Sequence, residues 1–235
     1  MKSVLIPGGS GALGSAVTLR LINEGYHCTV PYRNTGEAQD LRAHIAPQQR
    51  DQLLLLEADL LDDGDVARVF ENAKQQHGLY ALVHILGGIK GFQPIAETSI
   101  EDWDFLMNLN LRALFVMARL AMKHFHESGQ GRIVTIGAMA AVKPGASQAG
   151  YGVAKAGVSA LTKILADEGR EHGVTANCIL PSVIKTDANL EWGSEDDIPK
   201  WITPEEIAGT ISYLLRDEAG GVNGSDIRLF GQLNV

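Results

Sequence analysis

Val4-Leu5-Ile6-Pro7-Gly8-Gly9-Ser10-Gly11-Ala12-Leu13-Gly14 is the stretch of sequence that decides the fold. Three apolar residues typical of a buried strand lead into a glycine-rich turn, and a helical pattern then runs to Glu24. Glycines let a backbone turn tightly and approach a pyrophosphate, and the N-terminus of the following helix attracts its negative charge. An ordinary strand-to-helix turn can carry glycines too, but this position after the first strand favours dinucleotide binding.

Six further strand-like segments alternate with helical patterns along the chain. The strands are expected at 26–31, 53–58, 81–86, 131–136, 174–180 and 225–230, and the helices at 63–77, at 99–128 with a break around 108–110, at 151–171 and at 203–216. This alternation predicts an α/β fold with a parallel sheet flanked by helices. Because no repeat, linker or low-complexity tract interrupts the chain, residues 1–235 are expected to form a single domain.

Composition narrows the classes of partner and compartment. The 235 residues include 20 basic and 28 acidic side chains, a formal net charge of −8, which argues against nucleic-acid and membrane-surface partners. The sequence predicts neither a signal peptide nor an apolar run of membrane-spanning length. Since Cys28 and Cys178 lie in apolar strands, a cytoplasmic protein with reduced, buried thiols is expected, and no residue spacing suggests a metal site.

Polar residues or glycines follow several predicted strands, at the sheet edge where parallel sheets bind ligands. Arg33 follows the second strand in place of an acidic residue, which favours the 2′-phosphate of NADP, although a solvated surface arginine would look the same. Asp59 ends the third strand and could equally cap the next helix. Gly87 and Gly88 end the fourth strand and suggest backbone that passes close to a ligand.

Tyr151 and Lys155 are four residues apart on a predicted helix, so their side chains share one face. A nearby ammonium group favours the phenolate and so lowers the pKa of a tyrosine, which can then exchange a proton with a carbonyl or alcohol; an ordinary helix-surface pair has the same spacing. Asn110, within another helical stretch, predicts a local backbone hydrogen bond. The acidic segment 183–200 is either a lid over a site or a disordered insertion.

Taken together, these residues resemble the short-chain dehydrogenase/reductase family along nearly the whole chain. The matching positions are Gly8-x-x-x-Ala12-x-Gly14, Asp59, Gly87, Asn110 within 107–111, Tyr151-x-x-x-Lys155, and Asn177 to Pro181 with Thr186. The resemblance implies a doubly wound, seven-stranded parallel sheet of the Rossmann type. It also implies a homodimer or homotetramer, with its main interface on the helices after Asn110 and around Tyr151.

The resemblance also implies a role for each matching residue. Tyr151 is expected to be the acid/base, Lys155 to hold the nicotinamide ribose and lower the pKa of the tyrosine, and Asn110 to hold a water that links Lys155 to solvent. Asp59 is expected to face the adenine and Thr186 the carboxamide. The expected cofactor is NADP(H), with NAD(H) as the alternative, and its expected contacts are Gly8, Ser10, Gly11, Leu13, Gly14, Arg33, Asp59, Leu60, Gly87, Tyr151, Lys155, Pro181 and Thr186.

One position departs from the family pattern. Ala138 stands thirteen residues before Tyr151, where the family usually has a serine that hydrogen-bonds the substrate carbonyl, and losing such a donor typically costs about 10²–10³ in rate. Three explanations are open: a substrate that does not need the donor, a replacement such as the Ser147 hydroxyl or a water, or a protein that only binds cofactor. Dihydropteridine reductases, which the chain resembles at Trp201-Ile202-Thr203-Pro204 and in this alanine, exemplify the first explanation.

The sequence therefore predicts an NAD(P)H-dependent reductase that transfers a hydride to a small carbonyl or imine-like substrate, with Tyr151 as general acid/base. Ala138 and Ser147 are the candidate substrate contacts. A dihydropteridine-type reductase is one alternative, and a non-catalytic NADP(H)-binding sensor or scaffold is the other.

Overall fold

The computed structural model describes residues 2–233, and the strands it contains form one seven-stranded sheet. The strands are β1 (Ser3–Leu5), β2 (His27–Tyr32), β3 (Leu53–Glu57), β4 (Leu79–His84), β5 (Gly131–Ile136), β6 (Val174–Pro181) and β7 (Asp226–Leu229). Their order is β3-β2-β1-β4-β5-β6-β7, and all neighbours run parallel. The order reverses between β1 and β4, which creates a crevice at the carboxyl ends of these strands.

Helices cover both faces of the sheet. They are α1 (Ala12–Asn23), α2 (Thr35–His44), α3 (Asp63–Gln75), α4 (Ile100–Met107), α5 (Ala113–Ser128), α6 (Ala149–Gly169), α7 (Asp187–Leu190) and α8 (Pro204–Leu214). Helices α3, α5 and α6 bury their apolar side chains on one face, and α1, α2 and α8 bury theirs on the other. The predicted Rossmann-type, doubly wound parallel sheet is therefore confirmed.

The central strands are largely apolar because both of their faces are covered. Along β4, Leu82 packs under α3, α5 and α6, whereas Ala81 and Val83 pack under α1 and α8. The neighbouring β5 repeats this alternation, with Ile133 on the first face and Val134 on the second. Side chains that alternate between two buried faces give a continuous hydrophobic run, as expected for a parallel sheet.

Strand β4 and helix α2 differ from the prediction. Strand β4 spans Leu79–His84 rather than 81–86, because the backbone N–H groups of Ile85 and Leu86 both donate to the Pro7 carbonyl and leave the strand ladder. Helix α2 was not predicted. The expected break around 108–110 is confirmed as a π-helical turn over Asn108–Arg112 that joins α4 to α5.

The acidic segment 183–200 is ordered. It contains α7 and a single turn of 3₁₀ helix at Ile198–Lys200, and Ile184 pairs with Ile202 in an isolated parallel bridge. The alternative of a disordered insertion is therefore wrong, and the segment forms one wall of the crevice.

One helical stretch, Ile100–Ser128, is long and apolar enough to cross a membrane by length and composition, which the sequence reading did not anticipate. Half of its apolar window is buried inside the protein. Leu114, Met117 and Phe125 of α5 belong to the core beneath the sheet. Its apolar character is that of a core helix.

Candidate active site

The carboxyl ends of the strands open into a cleft of about 1050 Å³. Most of the residues predicted to contact cofactor or substrate line it: Gly8, Ser10, Gly11, Leu13, Gly14, Arg33, Asp59, Leu60, Gly87, Ala138, Tyr151, Lys155 and Pro181. Asn110, Ser147 and Thr186 do not line it. The topology thus brings together residues that are up to 173 positions apart in the sequence, from Gly8 to Pro181.

The turn between β1 and α1 forms the floor of one half of the cleft. Gly8 has a φ of +82°, a backbone conformation that residues with a side chain rarely adopt. At Gly14 a Cβ atom would collide with the Gly8 carbonyl oxygen, so α1 can pack against the turn only with glycine there. Helix α1 begins at Ala12, and its first N–H groups have no partner within the helix. The turn and helix together form a cradle that suits a pyrophosphate.

An ion pair spans the far end of this half of the cleft. Arg33 Nη1 lies 3.7 Å from Asp59 Oδ1, and both side chains are more than half exposed. Asp59 does not cap α3, since Asp62 is the residue whose carboxylate accepts from the Asp65 N–H at 2.9 Å. Asp59 instead accepts from the Leu61 N–H at 3.0 Å, and it remains on the cleft wall where a ligand could reach it.

Lys155 lies deep in the other half of the cleft and is only 4% exposed. Its Nζ donates to the Ile136 carbonyl oxygen, at the end of β5, at 2.9 Å. Burial lowers the pKa of Lys155 to about 8. This ammonium group is held by a main-chain acceptor and has lost most of its hydration.

Tyr151 lies one helical turn before Lys155 on α6 and also lines the cleft. The Lys155 Nζ is 5.9 Å from the centre of the Tyr151 ring. Burial raises the pKa of Tyr151 above its ordinary value. The expected lowering of this pKa by Lys155 is therefore wrong for this arrangement, because burial of the phenol raises its pKa and the Lys155 ammonium group donates to Ile136 instead.

Asn110 is buried in the π-helical turn, and both the oxygen and the nitrogen of its side-chain amide are hydrogen-bonded to main-chain groups. Its Nδ2 donates to the Gly88 and Leu106 carbonyls at 2.9 and 3.0 Å, and its Oδ1 accepts from the Gly88 N–H at 3.0 Å. The predicted local backbone bonds are thus confirmed. A Cβ atom at Gly87 would lie 2.7 Å from Asn110 Oδ1 and 2.9 Å from Lys155 Nζ, so both side chains close around this glycine.

The substrate half of the cleft has fewer hydrogen-bond donors than the family pattern implies. Ala138 lines it and offers only a methyl group. Ser147 adopts a φ of +64° and borders a separate small pocket beside Lys90 and Asp102. Tyr151 lines this small pocket as well as the main cleft, so Ser147 lies near Tyr151 but is not part of the main cleft wall.

Thr186 also lies outside the cleft wall. It is the N-cap residue of α7, and its backbone N–H donates to the Ile184 carbonyl oxygen at 2.8 Å. Ser182, Val183 and Ile184 line the cleft in its place.

Sequence reasoning missed the aromatic rim of the cleft, formed by Phe92 and Trp192. Both side chains are exposed, at 57% and 63%. A signal was present in the sequence, because each is a large aromatic residue within an irregular segment where no core position is expected.

Fold and cleft define a Rossmann-type α/β protein with a tyrosine and a lysine on one helix face beside a glycine cradle. A family model described as short chain dehydrogenase matches residues 2–197. The chain therefore belongs to the short-chain dehydrogenase/reductase family.

Individual relatives match the chain along nearly its full length. A short-chain type dehydrogenase/reductase of Picea abies is 28% identical, with 98% of this chain and 91% of the relative covered. An acetoacetyl-CoA reductase of Allochromatium vinosum is 29% identical, with 99% and 98% covered. Among solved structures, ElxO with NADP bound superposes with a TM-score of 0.91 at 24% identity, covering 98% of this chain and 97% of ElxO.

Proposed function

We propose that the protein is an NADP(H)-dependent reductase that acts on a small carbonyl or imine-like compound. The observation that carries this proposal is the placement of Tyr151 and Lys155 in the same cleft as the glycine cradle of β1 and α1. Family membership supports oxidoreductase chemistry, and the name of the acetoacetyl-CoA reductase relative supports a carbonyl substrate.

The cleft fits a nicotinamide dinucleotide. The cradle around Gly8 and Gly14 suits the pyrophosphate, Asp59 is available to the adenine, and Lys155 to the ribose next to the nicotinamide. Arg33 favours NADP(H) over NAD(H), because its side chain is 67% exposed and its Nη1 lies 3.7 Å from its carboxylate partner, which leaves the guanidinium group able to bind a phosphate.

Bound reduced nicotinamide supplies the hydride, and the protein supplies the proton. Burial keeps the Tyr151 phenol protonated at neutral pH, which is the form a general acid needs for reduction. The Tyr151 O–H would give its proton to the oxygen of a carbonyl, or the nitrogen of an imine, whose carbon is reduced in this way. The product is an alcohol or an amine. Lys155 holds its positive charge beside the phenol as the phenol becomes negative.

Ala138 favours a second candidate, a dihydropteridine-type reductase. With a methyl group at that position, Tyr151 has no partner hydroxyl with which to polarise a carbonyl, and an electron-poor ring system needs that help less than a ketone does. Ala138→Ser separates the two candidates. It should raise the turnover of a ketone and leave the turnover of quinonoid dihydropterin nearly unchanged.

The test of the function is NADPH consumption by the purified protein with a panel of acceptors: simple ketones, acetoacetyl-CoA and quinonoid dihydropterin. Turnover of any acceptor that requires NADPH supports the reductase. Tight NADPH binding without consumption on the whole panel would instead support the third candidate, a cofactor-binding sensor or scaffold. We also propose a cytoplasmic homodimer or homotetramer.

A further inference from the structure

Trp192 is an exposed aromatic side chain that is nevertheless held in place. It lies just after α7, lines the cleft and is 63% exposed. Its Nε1–H donates to Asn189 Oδ1 at 3.2 Å, and Asn189 Nδ2 donates to the Ile184 carbonyl oxygen at 2.8 Å. This chain of two hydrogen bonds ties the indole ring to the segment that follows β6.

The Trp192 ring also packs against a second aromatic ring, that of Trp201. The ring centres of Trp192 and Trp201 are 5.1 Å apart with an interplanar angle of 42°, and Trp201 is buried at 6% exposure. Gly193 makes this contact possible, because a Cβ atom there would overlap the Trp201 ring. An indole fixed by a hydrogen bond and by ring packing loses little further side-chain freedom when a ligand covers it.

The indole can offer a ligand only its apolar surface, since Asn189 already uses its N–H group. The β4–α4 loop contributes Phe92 and Ile89 to the same cleft, 57% and 53% exposed. These side chains leave a large apolar area in water, and the positions lie at the rim of a cleft where a ligand would cover them.

We propose that Trp192 is the specificity-determining platform of the cleft, and that it selects compounds that carry a flat, conjugated ring. The inference rests on the proposed function for the reaction itself. An aromatic face packs closely against another flat ring, whereas a puckered saturated ring touches it with fewer atoms. Asn189 also lines the cleft, and its hydrogen bond to the indole N–H makes it a positioning residue for Trp192.

The test compares two ketones of equal carbon skeleton, methyl naphthyl ketone and its fully saturated decalin counterpart. Their dissociation constants are measured by calorimetry on the NADP⁺-saturated protein. Trp192→Ala should weaken binding of the naphthyl ketone by about tenfold and that of the decalin ketone by less than about threefold. Trp192→Phe, which keeps a flat ring, should retain most of the naphthyl affinity.

Two further variants serve as controls. Leu190→Ala, on α7 but outside the cleft wall, should change neither dissociation constant. Asn189→Ala should weaken the binding of the naphthyl ketone when Trp192 is present. It should have no further effect on that binding when combined with Trp192→Ala, because its contribution passes through the indole.

The inference would be overturned if Trp192→Ala weakened the binding of both ketones equally. It would also be overturned if the naphthyl ketone did not bind the wild-type protein. Binding to the NADP⁺ complex requires no turnover, so an inactive protein that still discriminates the two ketones would refute the proposed reaction alone. If the protein is an active reductase and Trp192→Ala leaves both ketone dissociation constants unchanged, the role of Trp192 is refuted and the proposed reaction is not.

Discussion

The Lys155 ammonium group lies in a poorly hydrated part of the cleft. It is 4% exposed, donates to the Ile136 carbonyl oxygen at 2.9 Å, and has a pKa lowered by burial to about 8. The folded protein therefore binds fewer protons than the unfolded chain between pH 8 and the ordinary lysine value of 10.5, and this residue makes stability rise with pH across that interval. Below pH 8 the buried positive charge destabilises the folded protein, and an anionic ligand bound nearby would offset this destabilisation.

Cofactor binding should consequently be coupled to proton uptake. At pH 8 Lys155 is about half protonated, and the negative charge of bound NADPH should raise its pKa, so binding should take up about half a proton per site. The measurement is calorimetric titration in two buffers with different enthalpies of ionisation. Lys155→Met should abolish the uptake, while Lys123→Met on exposed α5 surface should retain it. Equal uptake in the Lys155→Met variant would show that another group titrates.

Arg33 is the residue on which cofactor preference depends in this account. Its Nη1 lies 3.7 Å from Asp59 Oδ1, and its side chain is 67% exposed on the cleft wall. Arg33→Asp should lower the preference for NADPH over NADH by about 10–100-fold, since a charge-assisted contact to the 2′-phosphate is replaced by repulsion. The ratio of the two dissociation constants measures this, with Arg170→Asp as the control. An unchanged ratio would mean that Arg33 does not reach the phosphate.

The start of helix α8 is fixed by hydrogen bonds within its first turn. The Thr203 hydroxyl oxygen accepts from the Glu206 N–H at 3.2 Å, and Glu206 Oε2 accepts from the Thr203 N–H at 2.8 Å, with Pro204 at the first helical position. The helix then buries Ile207 and Ile211 against the sheet face that α1 covers. This capping box satisfies two of the N–H groups that a helix start leaves unpaired.

Removing the cap should affect stability without affecting catalysis. Thr203→Ala should lower the free energy of unfolding by about 0.5–2 kcal/mol, measured by urea denaturation, and leave kcat unchanged. Thr210→Ala, later in the same helix, should cost less because its hydroxyl only donates back to the Glu206 carbonyl. A fall in kcat for Thr203→Ala would imply that α8 contributes to the cleft directly.

Helices and strands could be predicted from the sequence more reliably than the contacts that side chains make between them. The capping box at Thr203, the break before Ala113 and all seven strands follow from local patterns, because each depends on residues close in the chain. The direction of the Tyr151 pKa shift was predicted wrongly, since it depends on burial and on a lysine bonded to Ile136, which are tertiary quantities. The left-handed conformation of Ser147 likewise could not be predicted, because a serine carries no sequence signal for a positive φ.

At the scale of the whole molecule, the outer faces of α5 and α6 carry large apolar side chains that the single chain leaves in water. Phe115 on α5 is 53% exposed, and Val153 and Ile164 on α6 are 49% and 52% exposed. The family resemblance places the main subunit interface on these helices. We therefore expect the homodimer or homotetramer to bury these three side chains.

A charge in this surface should break the assembly. Phe115→Glu should shift the molar mass measured by light scattering toward that of the monomer, because an unpaired carboxylate would be desolvated in the interface. Tyr213→Glu, 45% exposed on α8 and on the opposite face of the sheet, should leave the mass unchanged. An assembly that survives Phe115→Glu would place the interface elsewhere.

The central claim is that the Tyr151 hydroxyl delivers the proton while the glycine cradle and Lys155 hold the cofactor. The most direct measurement is single-turnover NADPH oxidation by Tyr151→Phe, paired with its NADPH dissociation constant. The account predicts a rate lowered by about 10²–10⁴-fold with cofactor affinity unchanged within about threefold. A rate within about tenfold of wild type would contradict it, since a phenyl ring has no proton to give.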